Sequence, residues 1–190
     1  MDKAKTDTRD KPQDTDRPDT LTAEDEARIV AALGQVFELA RNGDGATLAG
    51  LMARGMSPDL RNEKGDGLLM LAAYHGHAEA VRILLEHGAS PDLRNAAGQT
   101  PIAGAAYKGY VDIIGLLLSH GADVEGASPD GRTALMTAAM FDRTEIVELL
   151  IAHGANPEAR DQRGMTAADA AAAMGAGKAA AHLGKPQTRH

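Results

Sequence analysis

Three histidines, His87, His120 and His153, recur at a step of 33 residues, and this column is the first feature of the sequence that could do chemistry. Imidazole ligates zinc and acts as a base near neutral pH. The spacing argues against one shared ion. Equivalent positions on packed neighbouring helices lie roughly 8–10 Å apart, whereas every ligand of one metal lies about 2 Å from it. A place near a helix C-terminus, where an imidazolium complements the dipole, fits the column better. No His-Glu-x-x-His pattern accompanies it, and neither a metal nor a cofactor is expected.

The other candidates also read as structure. None of the four serines, Ser57, Ser90, Ser119 and Ser128, sits in a Gly-x-Ser-x-Gly elbow. Ser57 and Ser90 occupy equivalent positions 33 apart, which favours a structural role. Gly177-Lys178 matches the end of a phosphate loop, but Ala172 stands where the earlier Gly is required and Ala179 where the Ser/Thr is. Gly43-Asp44-Gly45 and Gly65-Asp66-Gly67 lack the third Gly of a dinucleotide site and read as turns. Glu79, Asp112 and Glu145 share one position at the start of a helix, where a carboxylate favours the dipole. With no Cys, thiol chemistry and Cys-ligated metals are excluded. No catalytic set emerges, and the chain is expected not to be an enzyme.

The chain has 190 residues, with 20 Lys+Arg against 27 Asp+Glu and a net charge of −7. That balance argues against a nucleic-acid binder, which needs a cationic surface. No apolar run is long enough for a membrane span, and the first ten residues carry no signal-like apolar core. A cytoplasmic protein is expected. Hydrophobic residues make up 43%, yet only five residues are aromatic and 37 are Ala. A core of Ala, Leu, Ile, Val and Met favours close helix packing in thin layers.

Those layers must be built by helices. Residues 1–20 hold six Asp, five Lys/Arg and no Leu, Ile, Val or aromatic residue, so a disordered tail is expected. Thr22 and Asp25 stand as a capping box. Ile29, Val30, Ala32, Leu33, Val36, Phe37, Leu39 and Ala40 then recur at helical spacing, predicting an amphipathic helix over about 23–41. Beyond it the sequence repeats. Gly65, Gly98, Gly131 and Gly164 are 33 apart, and so are Gly55, Gly88, Gly121 and Gly154. Ser-Pro-Asp-Leu-Arg-Asn occurs at 57–62 and again at 90–95. Within each unit a Gly turn precedes Thr100, Thr133 or Thr166, each placed to cap a helix. Pro101 suits the first turn of such a helix, and Ala pairs such as Ala105-Ala106 admit a close neighbour. A Leu-rich second helix ends at a Gly.

Gly98-Gln99-Thr100-Pro101-Ile102, Ala105-Ala106, Gly109, Leu116-Leu117-Leu118 and Gly121-Ala122-Asp123-Val124 resemble an ankyrin repeat. The resemblance covers about residues 30–184. It implies an all-α ankyrin-repeat solenoid of stacked helix-turn-helix units with hairpin-like loops. The expected domain is 21–185, with about five repeats including an N-terminal cap and a truncated, frayed C-terminal cap, followed by a disordered tail at 186–190. Two departures stand out. No repeat keeps the His of the Thr-Pro-Leu-His stretch, so the hydrogen-bond ladder it commonly supports lacks its residue. Asp142 replaces a turn Gly conserved in step at 43, 76 and 109, predicting a less comfortable turn.

The resemblance further implies a non-enzymatic module that presents a rigid concave surface to a protein partner. It also implies where the partner meets it: the hairpin tips and the exposed late positions of the first helices. Residue by residue these are Glu63, Lys64, Asp66, Gln99, Asp130 and Arg132 at the tips, and Tyr74, His75, Tyr107, Lys108, Met140 and Phe141 on the helices. Arg41 holds the matching place in the first cap. Three of the five aromatics fall on that stripe, a composition suited to hot spots. A monomer with a protein partner, and no nucleic acid or membrane, is expected. The alternative is an accessory protein of catalase or peroxide defence, since some bacterial ankyrin-repeat proteins have that association.

Overall fold

The computed structural model describes residues 22–184. The tails expected at 1–20 and 186–190 lie outside the described residues. Among these residues the chain forms ten α-helices, and extended pairing is confined to an isolated antiparallel bridge between Arg61 and Gly67. The described residues fall into two units, divided between Leu33 and Gly34. Helix α1 (Ala23–Asn42) crosses their boundary.

In the first unit the Thr22–Asp25 box forms. The Thr22 backbone N–H donates to Asp25 Oδ2 at 3.2 Å, and the Asp25 N–H donates to Thr22 Oγ1 at 3.2 Å. The apolar stripe of α1 is covered less fully than its periodicity predicts. Ile29, Val30 and Leu33 are 46%, 65% and 39% exposed, whereas Phe37 and Ala40, in the second unit, are buried. Twenty residues make a helix about 30 Å long, while the first helices of the later repeats have seven or eight residues.

In the second unit the helices alternate between two layers. One layer stacks α3 (Leu68–His75), α5 (Pro101–Lys108), α7 (Ala134–Met140) and α9 (Ala167–Ala173). The other stacks α2 (Gly45–Met52), α4 (Ala78–Glu86), α6 (Val111–Ser119), α8 (Thr144–Ala152) and α10 (Gly177–Leu183). The Ala pairs at 72–73, 105–106 and 138–139 are fully buried between first helices. Leu84, Leu117 and Leu150, also 33 apart, fill the layer between them and the second helices. Each such Leu contributes about 1.5–3 kcal/mol by its burial.

Caps fix the helix starts as their residues dictate. Thr100, Thr133 and Thr166 are buried and accept backbone N–H groups of Ala103, Met136 and Asp169 at 3.4, 3.2 and 3.2 Å. Thr166 and Asp169 complete a capping box. The His87, His120 and His153 column sits at helix C-termini, as its spacing predicts. Each Nδ1 bonds the carbonyl four residues back, at 2.8–2.9 Å.

Another column supplies inter-repeat bonding where the His ladder is missing. Asp59, Asp92 and Glu125 each accept the backbone N–H found 31 residues later, at Ser90 (2.8 Å), Asp123 (3.0 Å) and Asn156 (2.5 Å). The Ser90 hydroxyl donates to Asp59 as well, so the repeated serine is structural.

The turn at Asp142 has a specific solution. Gly43, Gly76 and Gly109 all have positive φ, and a Cβ on them would lie 2.5 Å from His77, 2.7 Å from Tyr110 and 3.0 Å from Arg143. Those three residues form a column whose next member is Ala176. Asp142 adopts φ 55°, and with only a methyl group at position 176 its side chain has room. Its Oδ1 accepts the Ala179 N–H at 2.8 Å, in the first turn of α10. The cost of a left-handed Asp is thus offset by a cap on the next helix. The C-terminal cap is a complete helix pair, with Ala171, Ala179 and Leu183 buried.

Candidate partner-binding groove

The hairpin tips are positioned by a column of short polar side chains at 62, 95, 128 and 161. Asn62 Oδ1 accepts the N–H groups of Lys64 and Asp66, both at 2.9 Å. Asn95 Oδ1 accepts those of Ala97 and Gln99 at 3.1 and 2.9 Å. Asp161 Oδ1 accepts those of Arg163 and Met165, both at 2.9 Å. The Met165 N–H bond leads in holding the Asp161 carboxyl below the usual carboxylate range. Ser128 closes its tip differently, donating to the Arg132 carbonyl at 3.1 Å and to Asp130, whose carboxyl that bond lowers. Neighbouring tips are tied together: the Ala96 N–H donates to the Lys64 carbonyl at 3.0 Å, Asn95 Nδ2 to Asp66 at 3.0 Å, and the Gln162 N–H to the Asp130 carbonyl at 2.9 Å.

Between these tips and the exposed ends of α3, α5 and α7 lies a groove of about 840 Å³. Its wall is an aromatic ladder. The Tyr74 and Tyr107 rings stack at 6.3 Å with an interplanar angle of 6°. Phe141 meets Tyr107 edge-on at 4.8 Å. His75 stands edge-on to Tyr74 at 5.6 Å, and Lys108 Nζ lies 4.8 Å from the Tyr74 ring centroid. All three ladder residues remain more than a third exposed. Such contacts contribute about 0.5–1.5 kcal/mol per aromatic pair and hold the rings against one another.

Of the twelve residues named from sequence, Lys64, Asp66, Tyr74, His75, Gln99, Tyr107, Arg132, Met140 and Phe141 line this groove. Glu63, Lys108 and Asp130 do not. Glu63 is exposed at its tip, and Asp130 is exposed and paired with Arg132 at 3.1 Å. Arg41 completes the lining from the first cap. Sequence reasoning missed the floor, where Met70, Leu71, Gly104 and Thr137 lie. Leu71, Gly104 and Thr137 are again 33 apart, so the column was there to read. Its small Gly and Thr made it look like another packing position. No group of three or more His, Cys, Asp or Glu among the described residues could hold a metal ion.

A model of ankyrin repeats (three copies) matches residues 36–128 and 124–187. Over 49 residues the chain is 57% identical to ankyrin repeat protein PA3287 of Pseudomonas aeruginosa, covering 26% of this chain and 29% of that relative. The match thus spans less than a third of the relative's length. Repeated Thr caps, left-handed turn glycines and stacked helix pairs are the structural form of what the family match reports, and the chain belongs to the ankyrin-repeat family.

Proposed function

We propose that this chain is a non-enzymatic recognition module that seats a protein partner in the groove between its hairpin tips and first helices. Ankyrin repeats are generally protein–protein interaction modules. The observation that carries the reading to this groove is the Tyr74–Tyr107–Phe141 ladder. Solvent-exposed aromatics held in mutual contact cost a binder little ordering entropy, and Tyr is favoured at interface hot spots. The hydrogen-bonded tips opposite the ladder are equally pre-set. Among the described residues no helix is long and apolar enough to cross a membrane. A cytoplasmic monomer meeting one partner at a time fits the cysteine-free, acidic composition.

The test is to replace Tyr74, Tyr107 and Phe141 together by Ala and capture partners by crosslinking in native lysate. The ladder residues are exposed, so the helical circular dichroism is expected to persist. Loss of the proteins captured by the wild type supports the reading. Undiminished capture by a folded variant refutes it.

A further inference from the structure

We propose that the segment seated in this groove is an extended, acidic peptide of a partner protein whose alternate side chains rest on the aromatic ladder. The inference rests on the groove being the binding site. It adds the partner's chemistry.

Charge is the first observation. The whole chain carries −7, yet the groove is lined by Arg41, Lys64 and Arg132 against a single carboxylate, Asp66. Asp66 is occupied by the Asn95 amide at 3.0 Å. Lys64 makes no ion pair among the described residues, and Lys108 rests on the Tyr74 ring. Among the described residues Arg41 and Arg132 pair only with Glu38 and Asp130, whose side chains are more than half exposed. Exposed pairs of this kind are weak and exchange readily for another carboxylate. A locally cationic groove on an acidic protein steers anionic groups to one place.

Spacing is the second. The Tyr74 and Tyr107 centroids lie 6.3 Å apart. In an extended peptide, residues i and i+2 point the same way and stand about 6.6–6.8 Å apart. One extended strand can therefore set two consecutive same-side residues on Tyr74 and Tyr107, with the intervening residue turned toward Lys64 and Arg132. The tails of this chain do not suit the role. Residues 1–20 carry six Asp against five Lys/Arg and no Leu, Ile, Val or aromatic residue, and residues 185–190 are basic. A single-stranded nucleic acid would also offer anions and stacking faces, but three lining cations on a chain of −7 favour a short acidic peptide over a polyanion.

The experiment pans a phage-displayed random dodecapeptide library on the full chain and on the Tyr74→Ala/Tyr107→Ala/Phe141→Ala variant. Enriched peptides are then measured by fluorescence anisotropy, with an octathymidylate DNA as a separate probe. Acidic peptides with apolar residues at alternate positions are expected on the wild type and not on the ladder variant. Lys64→Glu/Arg132→Glu should weaken them about tenfold at low salt. Enrichment of neutral or basic peptides that still need the ladder would overturn the acidic inference and leave the groove reading intact. Acidic peptides retained by the ladder variant would overturn both, as would failure to enrich any peptide. Tighter binding of octathymidylate than of any peptide would assign the cationic lining to nucleic acid instead.

Discussion

At the residue scale, the turn column shows how one position constrains another a repeat away. Gly76 has φ 86°, and a Cβ there would lie 2.7 Å from the Tyr110 ring, whereas Gly55 has φ 96° and open space around it. Gly55→Ala should cost about 1–2 kcal/mol, the left-handed penalty alone. Gly76→Ala should cost more in urea unfolding, and adding Tyr110→Ala should narrow the gap between the two glycines. The inverse holds at the end of the column. Ala176→Tyr should destabilise by about 1–3 kcal/mol through overpacking against Asp142, and Asp142→Gly on that background should recover part of the loss. The sequence shows Asp142 as an anomaly in a Gly column. That its side chain caps the next helix through the Ala179 N–H becomes visible only in the fold.

Carboxylates act at the same scale. Backbone N–H groups of Thr47, Met165 and Thr166 lead in holding Asp44, Asp161 and Asp169 below the usual carboxylate range. A folded-state pKa below the unfolded one adds stability that is present above about pH 4 and lost as pH falls through the folded value. Urea midpoints should therefore be flat near neutral pH and fall below about pH 4. Asn at these three positions should flatten that acid limb.

At the scale of elements, helix α1 separates periodicity from burial. Its apolar spacing is regular over its length, but a period reports which face could be buried and not whether a neighbour is long enough to bury it. Val30→Glu should leave stability within about 0.5 kcal/mol, as for other surface changes. Phe37→Ala, at a buried site on the same helix, should cost about 3–5 kcal/mol in the same urea titration. The regular repeats were legible almost residue by residue, because Thr caps, turn glycines and Ala pairs have one local meaning wherever they recur. The carboxylate column at Asp59, Asp92 and Glu125 was not. Its partners lie 31 residues on, a step that differs from the 33-residue period.

At the scale of the molecule, each repeat touches its neighbours along the stack, so stability should be highest where both neighbours are present. Hydrogen exchange should show α5 and α6 most protected and α9 and α10 least, which also tests the fraying expected of the Ala-rich end. The same method addresses the central claim, that partners are seated between the hairpin tips and the first helices. With a captured partner bound in excess, amides of the tips around Lys64, Gln99 and Arg132 and the C-terminal turns of α3, α5 and α7 should gain protection. The outer layer of α4, α6 and α8 should not change. Protection confined to that outer layer or to α1, with the tips unaltered, would contradict the account.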